Sequence, residues 1–488
     1  MDGSDEDGDG KAILVPNFLQ ANDWKFSRFA AFVLTLQTIV LLLIFLDGYG
    51  LVPLYLRELI TFLFYSYVPG LVLLRVLRMH RLGAVLTTIL SVAASVAIMM
   101  FVGFAINIIY LELNGPLPFM LTIMAISQVI TLFLLLGLAF VIDRHCTHEP
   151  MLDVSPFLSA PAFALYSLPL VAVLATYLLN GWNIAWLQII LLLIIAAVVM
   201  AMLIVRLPSS LYPVAVVCIA LAVLFHTSLV SRFVVEWADI SFEYWSANRT
   251  LLNGFWPMTA MDHRSDSVLS VTILAPMYVL LTGLDLNVVF KIIYPSLLAL
   301  IPLGVFCMAR DRLGMRGALL SAFIIVSGTV FFTEFLGLAR QIIAELLLVA
   351  VVALLLHKSE FPVNRTILAW FLAIGIVVSH YGLVAVIIPV AIVSSVLYIL
   401  LGRRSITRGV VAKIIGSAVI FLAPPILWYG NVSGSTVLAS MMKHLNQLID
   451  GKGSLGLAKD LVRTLLFQEN FFIHTWLEIT SALVFVFC

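Results

Sequence analysis

Charge is scarce in this sequence. Of 488 residues, 27 are Lys or Arg and 26 are Asp or Glu, together 11%, against about 25% in soluble domains. That scarcity excludes a soluble globular domain and a disordered chain alike. The net charge of +1 leaves no broad basic surface, which excludes a nucleic-acid partner. Cysteine is almost absent. Cys146, Cys218, Cys307 and Cys488 show no paired spacing, so neither a disulfide framework nor a zinc site is read. No alternation of period two recurs over about ten residues, which excludes an outer-membrane barrel. No internal repeat relates two halves.

What remains is 62% hydrophobic. With no water in the bilayer core, helices that satisfy their own backbones are the economical solution. The expected fold is therefore an all-α polytopic membrane protein of about 14 spans, each needing roughly 20 apolar residues. Residues 1–28 read as an acidic, disordered tail opening MDGSDEDGDG, a composition that suits a salt-loving or archaeal source. Lys25 and Arg28 precede the first span and place the N-terminus in the cytoplasm. Six spans fill 29–206, with Arg75, Arg78, Arg81, Arg144 and Arg206 in inner loops. A module of seven spans follows over 207–430, and 431–488 is an outer polar segment with a final run that reads as a span cut short. In the stretch Arg57-Glu58 to Gly70, Pro69 and Gly70 predict a broken helix.

The run 268–283 tests this topology. It is apolar but short, with Pro276 near its middle. If it crossed, the loop RDRLGMR (310–316), with three arginines, would lie outside, against the positive-inside bias. We therefore expect 268–283 to lie on or dip into the outer leaflet, with RDRLGMR inside.

The outer loop 231–285 concentrates the unusual chemistry. Trp237, Ile240, Tyr244, Ala247 and Leu251 form one helical stripe, and Arg232, Glu236, Asp239 and Glu243 another. Asn253-Gly254 supplies a stop. The aromatics Trp237, Tyr244, Trp245 and Trp256 suit the headgroup region, with the carboxylates turned to a water-filled cavity. Asp239 and Glu243 are spaced i,i+4, as are Asp262 and Asp266, a spacing that raises a carboxylate pKa or recruits a cation in a dry cleft. The plainer alternative is a set of solvated acids paired with Arg232, Arg249 and Arg264. On the same face stand Glu334, Arg340 and Gln341, with Glu345 one turn deeper, and His380-Tyr381 at the turn between two spans. Ionisable groups inside spans mark function by default. Here the alternative is a structural pair of Arg340 with Glu345 or Glu334.

Asp239 to Tyr244, Asn253 to Trp256, Arg340 to Glu345 and Ser379-His380-Tyr381 resemble motifs of an archaeal family of polytopic membrane proteins. The module from about 209 to 430 is similar to the GT-C glycosyltransferases, which include protein O-mannosyltransferases and the lipid A aminoarabinose transferase. The resemblance covers a little under half the chain. It departs from the superfamily in its six preceding spans, in an Asp-x3-Glu first loop and in having no large soluble C-terminal domain. It implies an enzyme at the extracytoplasmic face of the cell membrane. The implied donor is a polyprenyl-phosphate sugar, and the acceptor a glycan or protein. It implies Asp239 as base and Glu243 beside it, with a divalent cation between them left open. Donor phosphate and sugar would meet Arg340, Gln341, Glu345, Arg264, His263, His380 and Tyr381. A transporter or flippase of a lipid-linked sugar, or a scaffold of a surface-glycan machine, is the alternative. Oligomeric state is not legible.

Overall fold

The computed structural model describes residues 13–53, 55–146, 148–205, 207–231, 234, 239–258, 264–357, 361–401 and 422–432. Six helices come first: α1 Phe26–Asp47, α2 Leu56–Val76, α3 Ala84–Leu113, α4 Leu121–Asp143, α5 Ala160–Trp182 and α6 Trp186–Ile204. Then follow α7 Leu211–Ser228, α8 Ile240–Asn253, and the short α9 Leu269–Thr272 and α10 Leu274–Thr282. A long stretch runs through α11 Leu286–Val288, a π turn, α12 Tyr294–Leu298 and α13 Leu300–Ser327. The last helices are α14 Thr329–Phe332, α15 Ala339–Leu356, α16 Pro362–Ser379, α17 Tyr381–Leu401, and a helical stretch at 422–431.

The all-α polytopic membrane architecture is borne out. Among the described residues, ten helices are long and apolar enough to cross a bilayer, fewer than the fourteen expected. Part of the difference is one stretch, Leu286–Ser327, which counts as a single helix. Gly314, at φ 70° and ψ −179°, breaks it inside RDRLGMR, where the sequence places a loop. Residues 402–421 and 433–488, expected to hold further spans, lie outside the described residues.

The two halves expected from the sequence share one apolar core. α2, α3, α7, α15 and the α11–α13 stretch are mostly buried, whereas α1, α4, α5 and α6 expose aliphatic faces suited to lipid. Ser66 Oγ meets Tyr278 Oη at 2.8 Å, and Arg57 Nη2 donates to the Leu280 carbonyl at 3.0 Å. The first spans therefore form one wall of the later module.

Two local expectations are corrected. α2 runs unbroken through Pro69. Its neighbour Gly70 packs so closely that a Cβ would lie 1.9 Å from the Ser91 carbonyl oxygen, and its N–H donates to Ser95 Oγ at 2.7 Å. Gly70 serves helix contact rather than a break. Residues 13–24, grouped with the disordered tail, are ordered. Leu14–Pro16 pairs antiparallel with Met151–Asp153, and Phe18–Asp23 forms a 3-10 turn that buries Asn22 and Asp23.

Hydrogen bonds between loops sort the helix ends. Asn364 donates to the Leu77 carbonyl, and Arg316 to the Ile204 carbonyl. At the other end, Asn180 binds the Leu229 carbonyl, Ser228 the Lys291 carbonyl, and Phe119 N–H the Gly254 carbonyl. The chain leaving α7 thus returns to enter α11 at the same end. α9 and α10, bent at Ile273, are together about 21 Å long at 1.5 Å per residue, short of the roughly 30 Å apolar core. They are buried in protein along nearly their whole length rather than resting on a surface.

Candidate functional site

α8 begins at Asp239 and stops at Gly254, which takes the left-handed conformation at φ 71°. Its amphipathic period is as expected, but the acidic stripe is split, with Glu243 turned inward beside Ile240 and Ala247 and Asp239 left exposed. Ile240, Glu243, Ser246, Ala247 and Thr250 point inward, while Phe242, Trp245 and Leu252 are exposed. The aromatic face suits a lipid headgroup layer, and the carboxylate of Glu243 faces protein rather than a water-filled cavity.

Arg340 opens α15 and meets that carboxylate. Its Nη1 lies 2.8 Å from Glu243 Oε1, and its backbone N–H donates to Glu243 Oε2 at 3.3 Å. Its Nη2 lies 2.5 Å from Asp239 Oδ2. Asp239 is 49% exposed, whereas Glu243 is 0% and Arg340 5% exposed. One guanidinium thus joins a wet carboxylate to a dry one. Burial pushes the Glu243 carboxyl up to about 7, and the nearby Arg340 pulls it back only in part.

The SHY turn closes over this group. α16 ends at Ser379, His380 is extended, and α17 starts at Tyr381. The Tyr381 ring lies 5.3 Å from Arg340 Cζ, within cation–π range. His380 is buried, stacks on Tyr381 at 5.6 Å and accepts the Leu383 N–H at Nδ1, 2.8 Å away. Arg340, Asp239, Glu243 and Tyr381 are therefore in direct contact, drawn from three segments far apart in sequence.

Other candidates stand apart or outside. Neither expected structural pair forms. Glu334 makes no ion pair among the described residues, and Glu345 is buried with Gln341 as its partner at 3.4 Å. Asp266 pairs with Arg249 at 3.5 Å, as in the plainer reading, but it is buried rather than solvated. Asp262 and His263 lie outside the described residues, as do Arg232, Glu236 and Trp237; only the backbone of Arg264 is described.

Trp256 corrects another expectation. It is buried rather than at a headgroup surface, stacked on Trp428, with Nε1 donating to the Asp266 carbonyl at 2.8 Å. Asn107 of α3 holds it by accepting the Trp256 N–H at 2.8 Å and donating to its carbonyl at 3.1 Å. Sequence reasoning missed Asn107, although a lone amide inside an apolar run is a signal in itself.

Two buried atoms of the site have no hydrogen-bond partner among the described residues: Arg340 Nε and Gln341 Oε1. A buried donor left so costs roughly 1–3 kcal/mol, a cost that a ligand oxygen removes. No protein-family model, curated protein or solved structure matches the chain.

Proposed function

We propose that the chain is a glycosyltransferase that moves a sugar from a polyprenyl-phosphate carrier to an acceptor at the extracytoplasmic face. The observation that carries this reading is Arg340, which holds Asp239 and Glu243 while its buried Nε–H lacks an acceptor among the described residues. A permanently charged planar donor suits a phosphate oxygen.

In this reading the exposed Asp239 carboxylate takes the proton of the acceptor hydroxyl. The acceptor oxygen then bonds to the anomeric carbon as the carbon–oxygen bond to the lipid phosphate breaks. The phosphate leaves with the electron pair, and attack from the opposite face inverts the centre. The transition state is oxocarbenium-like, as in glycoside hydrolysis. Arg340 meets the charge gathering on the leaving phosphate. Proton transfer by a placed carboxylate contributes typically 10²–10⁴-fold. Glu243 holds Arg340 rather than substrate, because no part of its side chain reaches solvent. The two carboxylates are bridged by a guanidinium, so a cation between them would have to displace Arg340.

Transport is disfavoured by where charge lies. Among the described residues the ion pairs gather at the two ends of the bundle, and the buried polar groups Gln37 and Gln128 within spans are neutral, with Glu345, one turn below Gln341, the ionisable group set deeper. Asp239→Asn should abolish transfer and leave the amount of folded protein unchanged, read by mass analysis of surface glycans. Normal glycans in that strain would remove Asp239 from the chemistry.

A further inference from the structure

A second cluster of reactive side chains sits at the opposite end of the bundle, where α2 hands over to α3. His80 lies between Arg78 at φ 51° and Arg81 at φ 57°, two left-handed residues that are not glycine. Such backbone is strained and persists only where its surroundings impose it. Here Arg78 Nη2 is 2.5 Å from the Ile142 carbonyl, and the Arg81 N–H donates to Asp23 Oδ2 at 3.2 Å.

The same Asp23 orients the imidazole. Its Oδ1 lies 3.0 Å from His80 Nδ1, placed to hold the Nδ1–H when a metal takes Nε2. Nε2 faces Asp143 Oδ2 at 3.1 Å. Both atoms are buried, and Asp143 Oδ2 also meets Arg75 Nε at 3.2 Å. Three residues along, Cys146 adds a sulfur, and the ligand atoms of His80, Asp143 and Cys146 all lie within 4.8 Å of one another. The Cys146 thiol donates to the Asp23 carbonyl at 3.4 Å and lies 3.8 Å from His80 Nδ1, so a metal there would take the place of the thiol proton.

We infer that His80, Asp143 and Cys146 form a binding site for a borderline-soft divalent metal such as zinc, with one position left for water. The donor set of imidazole nitrogen, carboxylate oxygen and thiolate is the one zinc takes. Zinc–nitrogen and zinc–oxygen bonds of about 2.0–2.1 Å set tetrahedral edges near 3.3 Å, so the His80–Asp143 edge is already at ligand spacing. The Cys146 sulfur closes the third corner by moving inward by at most about 1 Å, within reach of a small side-chain adjustment. Asp23 occupies the place of the carboxylate that commonly orients a metal-bound histidine. Charge also balances, since the metal and the buried Arg75, 3.2 Å from Asp143, offset two carboxylates and a thiolate. The site staples three segments: the ordered stretch before α1, the α2–α3 turn and the end of α4. His80 and Cys146 are 66 residues apart, so no short motif announces it.

The test is metal content of the full-length protein, purified in detergent after growth with zinc and dialysed against a weak chelator. The wild type should carry about one zinc per chain, and Cys146→Ser and His80→Gln roughly tenfold less or lower. Cobalt-loaded wild type should show a thiolate-to-cobalt charge-transfer band that Cys146→Ser lacks. Asp23→Asn should weaken zinc binding about 10–100-fold without removing the band. Equal, trace zinc in the wild type and the variants, with no thiolate band on cobalt, would overturn the site and leave a purely ionic cluster. Should a variant fail to fold, the cobalt spectrum of the wild type decides alone.

Discussion

Arg340 binds Glu243 through both its guanidinium and its own backbone N–H, at 2.8 and 3.3 Å. The carboxylate therefore positions the first turn of α15 as well as the charge that α15 carries. Asp239, one helical turn before Glu243 on α8, takes the remaining Nη of Arg340. Geometry divides the two acids, one fixing the arginine and one facing water.

That division predicts a pH signature in stability. Burial raises the Glu243 carboxyl in the folded state to about 7 from an ordinary value of 4.5. Between those values the folded state binds more protons than the unfolded one, so this group's contribution to stability falls as pH rises. It is fully present below about pH 4.5 and lost by pH 7. In Glu243→Gln the same interval should contribute no slope. The check is the difference in thermal midpoint between wild type and variant across pH 4–8, and parallel curves would contradict it.

Arg340→Lys keeps a positive charge but loses the planar fork. The three N–H groups of an ammonium radiate from one nitrogen and do not reproduce the spread of Nη1, Nη2 and Nε toward Glu243, Asp239 and a phosphate oxygen. Glycan transfer should fall by roughly 10²-fold or more, in the range seen when a charge-stabilising donor is lost. Transfer at the wild-type rate would show that the guanidinium does not meet the leaving group.

Gly70→Ala places a methyl 1.9 Å from the Ser91 carbonyl oxygen, so α2 and α3 must separate. Overpacking costs about 1–3 kcal/mol, and contact with rigid backbone puts this change at the upper end. The thermal midpoint in detergent should drop by several degrees, while Gly137→Ala, on an open face of α4, should change it much less.

The two ends of the bundle predict opposite labelling. In a cysteine-free background, Leu252→Cys on the exposed face of α8 should react with an impermeant thiol reagent on intact cells. Arg316→Cys should react only after permeabilisation. Labelling of both from outside would mean that 268–283 also crosses and puts RDRLGMR outside.

Composition alone determined that the chain is helical and membrane-embedded, because the bilayer permits little else for so apolar a sequence. Arginine placement gave the expectation that 268–283 does not carry the chain across, and the meeting of Ser228 with Lys291 at one end of the bundle fits it. The sequence also marked Asp239, Glu243, Arg340 and Tyr381 individually, since charge and aromatic hydroxyls inside apolar runs stand out. Only the tertiary structure decided how they combine. Helical period gives a stripe but not the direction it faces, so Glu243 was legible as a polar-face residue and proved fully buried. Pro69-Gly70 read locally as a break, yet the neighbouring α3 made it a close contact. His80, Asp23 and Cys146 carried no joint signal at all, because three turns remote in sequence meet only when α2, α3 and α4 are packed. Local chemistry is written along the chain. Proximity is set by which helices share a core, and that depends on side-chain fit across distances that no local pattern records.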